Sequence, residues 1–166
     1  MGTTKARRPV AKDRLARDVM QTGVLAVNPE MPLAKVVQLF LEEGIHGAPV
    51  LDETERLLGV LSTTDILRAV EEEHDEPSSD RTYFRETLEF SGPDWADTSA
   101  DFQDRLSQQT VADVMQTSVV TANEDTPVSE IAREMRVNRI HRVLVVRNGA
   151  LAGIITTFDL IALLES

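Results

Sequence analysis

Two acids, Asp65 and Asp159, each stand three residues after a hydroxyl, Ser62 or Thr156, at the end of an apolar run: "GVLSTTD" at 59–65 and "GIITTFD" at 153–159. A carboxylate so placed has two roles open to it. It can close the first turn of a helix, with Ser62, Thr63, Thr156 and Thr157 as caps and the acid set favourably against the positive helix end. It can also accept both hydroxyls of a ribose while a neighbouring hydroxyl, such as Thr64, and the helix end face a phosphate. A phosphate needs cations as well. "NRIHRVLV" at 138–145 brings Arg139, His141 and Arg142 to the start of an apolar strand. His46 holds the matching place earlier in the chain, where Gly47 stands instead of a second arginine. For either histidine alone, a hydrogen-bonded interior or interface position is the competing role.

These residues recur because the chain repeats. "DVMQT" occurs at 18–22 and again at 113–117, an offset of 95. At the same offset Asn28 matches Asn123, Pro32 matches Pro127 and "IH" at 45–46 matches 140–141, while the two acid motifs are 94 apart. One residue is therefore missing from a turn in the second copy, the kind of change surface turns tolerate.

Each copy predicts the same elements. Leu33, Val36, Val37 and Phe40, like Val128, Ile131, Ala132 and Met135, follow the i, i+3, i+4, i+7 spacing of an amphipathic helix. Pro32 and Pro127 are expected in the first helical turn, where a missing N–H is harmless. Two apolar runs follow, "APVL" and "LLGVLS" in one copy, "VLVV" and "LAGIIT" in the other. The second pair is joined through Asn148-Gly149, which favours a two-residue hairpin. The hydroxyl-rich motif then starts a last helix. The order per copy is short strand, helix, strand, strand, helix.

Composition narrows the function. The chain has 166 residues and no cysteine, which excludes a disulfide framework, a thiolate metal cluster and a cysteine nucleophile, and allows a reducing compartment; a cytoplasmic location is expected. No run of about 18 apolar residues suggests a membrane span, and "MGTTKA" matches a myristoylation pattern only loosely. A net charge of −11 argues against a nucleic-acid partner. Phosphate-cradling glycine loops, H-E-x-x-H and G-x-S-x-G are all absent, so the sequence reads as a non-enzyme with no required cofactor or metal.

Both copies resemble cystathionine-β-synthase (CBS) domains arranged as a tandem pair. The marks are the "VM" before the first strand, the h-x-x-P-V approach to the second, and G-h-h-[ST]-x-x-D at the end of the third. Leu144 replaces the proline of that approach in copy two, where copy one has Pro49. The resemblance implies an α+β fold of small mixed sheets, with two CBS repeats packed about a pseudo-twofold and a helical insert between them. The divisions are 1–17, a basic extension; 18–72, repeat one; 73–109, the insert; and 110–166, repeat two. A repeat of about 55 residues is too small to bury both faces of its own sheet comfortably, which favours pairing. Tandem pairs of this kind commonly dimerise again, so a homodimer is expected.

The resemblance also implies a ligand: AMP, ADP or ATP, with S-adenosylmethionine the weaker alternative. The implied nucleotide-binding residues are Thr22, His46, Ala48, Pro49, Ser62, Thr64, Asp65, Thr117, His141, Arg142, Val143, Thr156 and Asp159. "NRIHRVLV" is similar to a stretch of the γ subunit of the AMP-activated protein kinase in which a histidine and an arginine contact phosphate. By that comparison His141 and Arg142 serve the pocket of Asp65, Ser62 and Thr64, while His46 and Gly47 serve that of Asp159 and Thr156, making the first the better anion site. The resulting function is a stand-alone regulatory module that binds an adenosyl ligand between the repeats and passes its state to a separate effector protein. The alternative is a structural dimerisation module with degenerate pockets and no nucleotide; a third, weaker reading is a regulator of thioredoxin-like or metabolic enzymes.

The insert carries most of the charge. Residues 71–108 hold twelve acids and three arginines, yet also five of the seven aromatics of the chain: Tyr83, Phe84, Phe90, Trp95 and Phe102. Acidic linkers that stay unfolded lack such apolar content. Helices are expected over 81–90 and 95–109 with "SGPD" as the break, serving as a structural cover, a lid or a docking surface. "EEEHDE" at 71–76 is a solvated helix end or, less simply, a divalent-cation site.

Overall fold

The computed structural model describes residues 14–70, 82–85 and 100–165. The first repeat comprises α1 (Ala16–Val19), α2 (Leu33–Glu43), β1 (Gly47–Leu51), β2 (Leu57–Ser62) and α3 (Thr63–Val70); the second comprises α6 (Val111–Val114), β3 (Thr121–Asn123), α7 (Val128–Asn138), β4 (Arg142–Arg147), β5 (Ala150–Thr156) and α8 (Thr157–Ala162). Between them stand α4 (Thr82–Arg85) and α5 (Ala100–Gln108). The class is α+β, as the sequence predicts.

The apolar stripes do what their spacing requires. Leu33, Val36, Val37 and Phe40 of α2 are buried, as are Val128, Ile131 and Met135 of α7. Both helices end on a left-handed residue, Gly44 at φ 64° and Arg139 at φ 54°. Pro32 and Pro127 sit at the N-caps, with extended ψ of 142° and 138°, one position before the expected first turn. The ring still spares an N–H there, because the cap residue contributes only its carbonyl to the helix.

β1 and β2 form an antiparallel hairpin, and β3, β4 and β5 a three-stranded sheet in which β3 runs parallel to β4. The β4–β5 turn has positive φ at both Asn148 (51°) and Gly149 (82°), the conformation that Asn-Gly suits. The expected short strand of repeat one shrinks to a single parallel bridge, Val27 to Val50.

The repeats exchange their N-terminal segments. Gln21 of repeat one pairs antiparallel with Ile154 of repeat two, and Gln116 of repeat two pairs with Val60 of repeat one. The cores follow: Val111 packs in the cluster built on α2, β1, β2 and α3, while Ala16 packs in the cluster of repeat two. The pseudo-twofold axis passes through the bridge between Arg56 and Ala150, which are equivalent residues. Around it Leu57 N–H donates to the Gly149 carbonyl (3.0 Å) and Leu151 N–H to the Glu55 carbonyl (3.1 Å), one bond being the image of the other.

Of the insert, α4 and α5 are the described parts. Tyr83 and Phe84 join the second core and Leu106 the first. Arg105 donates to the Val70 carbonyl at 2.7 Å and Gln109 to that of Ala69 at 3.1 Å, fastening α5 to the end of α3. Phe90, Trp95 and "EEEHDE" lie outside the described residues. No helix among the described residues is long and apolar enough to cross a membrane, and none of their acids and histidines form a group of three able to hold a metal.

Candidate functional site

The two motif acids close their own helices. Asp65 accepts the Ser62 N–H at 2.8 Å and the Ser62 hydroxyl at 2.9 Å; Asp159 accepts the Thr156 N–H at 2.7 Å and its hydroxyl at 3.1 Å. Their remaining oxygens reach across the pseudo-twofold. Gln116 of repeat two donates to Asp65 at 3.1 Å, and Gln21 of repeat one donates to Asp159 at 2.7 Å. The capping role that the spacing permits is thus present at both sites. The glutamines are partners that sequence reasoning missed, although their place inside the identical "DVMQT" stretches was the signal.

The glycines of the two motifs belong to the same exchange. A Cβ on Gly59 would lie 2.4 Å from the Gln116 carbonyl oxygen, and one on Gly153 would lie 2.6 Å from that of Gln21. Only hydrogen fits between strand and incoming segment. "G-x-x-[ST]-x-x-D" is therefore, first, a docking motif for the other repeat.

The acids differ in exposure. Asp65 is 4% exposed and Ser62 fully buried, whereas Asp159 and Thr156 are half-buried. Burial pushes the Asp65 carboxyl above its ordinary value, outweighing the opposing bonds from Ser62 and Gln116 and the charge of Arg68. The sequence comparison ranks the Asp65 pocket first; accessibility ranks them the other way.

A cleft of about 210 Å³ opens between the repeats. Its apolar wall is Val24, Leu25, Ile45 and Pro49 of repeat one with Ile154 of repeat two. His46 and Gly47 lie on one side and Arg142 comes from the other repeat, with Tyr83 of α4 beside it. Ile154 precedes Thr156 by two residues, so the half-buried acid adjoins this wall in sequence. An apolar slot with a cation in its lining suits a flat, mostly apolar ring system carrying an anionic group.

The cations expected together are divided by the strand. Arg142 lines the cleft, while Arg139 and His141 line a separate groove of about 460 Å³ formed with α7 and α8. Successive residues of extended chain face opposite ways, so His141 and Arg142 diverge. Arg142 accordingly stands with His46 and Gly47 rather than with His141. Both histidines also share a backbone duty: their carbonyls accept the first N–H of the following helix, from Thr63 at 2.9 Å and Thr157 at 3.0 Å.

The other expected residues scatter. Thr22 and Thr117 are exposed near the exchanged glutamines, and Thr64 is half-buried on α3. Pro49 lines the cleft. Ala48 and Val143 send their side chains into the two cores, leaving only main-chain groups, which are taken by the strand ladders. Val24, Leu25 and Tyr83 line the cleft, where the sequence reading did not place them.

The CBS domain profile matches residues 16–72 and 111–166. The chain belongs to the CBS domain family. Among relatives of this CBS pair, protein MJ1426 of Methanocaldococcus jannaschii is 29% identical over 151 residues, covering 89% of either chain. The AMP-activated protein kinase subunit γ-3 of Sus scrofa is 39% identical over 54 residues, which is 32% of this chain and 10% of that one. The CBS pair spans 42% of the length of another relative, MJ1225 of the same archaeon, at 23% identity over 90% of its own length. Among solved structures, the CBS domain of a CBS domain-containing membrane protein from Sphaerobacter thermophilus superposes with a TM-score of 0.66 at 29% identity, over 95% of this chain and 93% of that one. CBSX2, solved in complex with AMP, superposes with a TM-score of 0.63 at 23% identity, over 92% and 97%.

Proposed function

We propose that this CBS pair is a regulatory module that takes an adenine nucleotide of the AMP, ADP or ATP class in the cleft between its repeats and passes its occupancy to an effector protein. The observation that carries this reading is the composition of the cleft: an apolar wall from both repeats ending on Arg142. The base would lie against Val24, Leu25 and Pro49, and Arg142 with His46 would face the phosphate. Asp159 would meet the ribose by exchanging its Gln21 bond for the sugar hydroxyls. The AMP bound to CBSX2 and the likeness to a γ subunit support the same ligand class. Binding across a two-repeat boundary couples ligand to packing, since any ligand that prefers one arrangement shifts the population toward it. A binding role rather than catalysis, a homodimer and a location in the cytoplasm complete the proposal. The exposed Phe158, Ile161 and Leu164 of the second repeat give apolar surface for association.

The second reading, a structural module without nucleotide, is favoured by one observation: both motif acids are already satisfied as caps. Calorimetric titration with AMP, ADP, ATP, S-adenosylmethionine and NAD separates the two. Saturable binding of an adenine nucleotide supports the sensor; no heat from any of the five at millimolar concentration supports the structural module.

A further inference from the structure

Gly47 and Tyr83 fit one another. The pseudo-twofold places Gly47 where repeat two has Arg142, so the chain lacks one of two equivalent cations at the cleft. That room is not left open. A Cβ on Gly47 would lie 2.6 Å from Cδ2 and 3.0 Å from Cε2 of the Tyr83 ring. Gly47 has no positive φ, so its own dihedrals do not require glycine; the Tyr83 ring crowds the Cβ position most closely, with the Leu61 carbonyl oxygen next at 3.1 Å. The same ring also carries the Arg142 guanidinium, whose Cζ stands 4.9 Å from the ring centroid. Arg142 is thus engaged by an aromatic face in the way a cation engages one.

The segment is anchored as well as inserted. Phe84 is fully buried in the core of repeat two, and its carbonyl accepts the His141 N–H at 2.6 Å. Tyr83 is 3% exposed. With α4 in place the cleft measures about 210 Å³, below the roughly 300–1,000 Å³ of small-molecule pockets. The glycine that reads as a lost phosphate contact is instead the seat of an internal occupant.

We propose that Tyr83 is an autoinhibitory plug: it occupies the anion end of the cleft and holds Arg142, and an adenine nucleotide must displace it to bind. The inference rests on the nucleotide reading above and adds that ligand arrival is converted into release of α4 from the boundary between the repeats. When a site is open in only a fraction of molecules, apparent affinity falls by that fraction, and removing the occluder restores it.

Tyr83 is the sole tyrosine, so 3-fluorotyrosine labels it alone. AMP is titrated into the full-length protein, Tyr83→Ala and Gly47→Ala by calorimetry, and the labelled wild type is followed by fluorine NMR. Gly47→Ala expels the ring while keeping every apolar side chain, and so decides the matter if Tyr83→Ala does not fold. The expected result is AMP affinity higher by about fivefold or more in the variants, with the fluorine resonance moving from a buried to a solvated position as AMP saturates the wild type. Binding by the variants alone would mean that AMP cannot displace the ring, which overturns the proposed release of α4. Wild-type binding with an unmoved resonance and no gain in the variants overturns the plug and leaves the nucleotide reading standing. No binding by any of the three proteins overturns the nucleotide reading, and the plug with it.

Discussion

The side-chain amide of Gln116 lies 3.1 Å from the carboxylate of Asp65, although the two residues belong to different repeats. The mirror contact, Gln21 to Asp159 at 2.7 Å, makes the pair a symmetric clasp. One end of each clasp is a helix cap, so capping the helices and joining the repeats use the same carboxylates.

The buried clasp has a pH signature. Because burial raises the Asp65 carboxyl above its ordinary value, the folded state keeps this proton where the unfolded chain has lost it. The contribution is then fully present below the ordinary value and is lost as pH rises through the raised one. Denaturant unfolding of wild type and Asp65→Asn between about pH 3 and pH 7 should show the stability difference moving toward the variant as pH rises. A difference that grows in favour of the wild type would mean that the hydrogen bonds dominate instead.

Gly59→Ala and Gly153→Ala should each destabilise the protein by about 1–3 kcal/mol, because the new methyl meets a backbone carbonyl that cannot swing aside. Both sites bear on the exchanged segments, so thermal melts of the two variants should fall together. A neutral result at either would show that the exchanged segment gives way.

Leu106→Ala removes the buried residue by which α5 joins the first core, and a loss of about 2–5 kcal/mol is expected. Replacing 76–106 with a Gly/Ser linker should be more damaging still, because it also removes Tyr83 and Phe84. A deletion of unchanged stability would turn the insert into an appendage for partners.

Arg142→Ala should weaken nucleotide binding about ten- to hundredfold, the value of one charge-assisted bond to phosphate. Asp159→Ala should weaken it more than Asp65→Ala among folded variants, since Asp159 is the accessible acid. Calorimetric titrations giving the reverse order would restore the ranking drawn from the γ-subunit likeness.

The sequence disclosed the repeat because its offset is nearly constant, and it disclosed the helices because Leu33 to Phe40 and Val128 to Met135 keep one periodicity. It concealed the exchange for the same reason. Since "DVMQT" is identical in both copies, a pattern of residues is equally consistent with pairing inside a repeat and pairing across them. Gly47 is a different case: its missing side chain is plain in the sequence, whereas the Tyr83 ring packed against it is seen only in the fold. The divergence of Arg142 from His141 depended on which way each residue turns at the start of β4, which adjacency in sequence does not reveal.

The bridge between Arg56 and Ala150 joins two equivalent residues, as a twofold axis does in a dimer of identical subunits. An unlinked pair of such repeats would associate only as their concentration allowed, and dilution would part them. The residues connecting α3 to α6 turn that bimolecular equilibrium into an intramolecular one, with an effective concentration set by the tether. The protein therefore keeps a dimer's internal interface at any dilution, and each half, freed from matching the other, can carry glycine at 47 and arginine at 142 without the symmetry forcing the same residue on its twin.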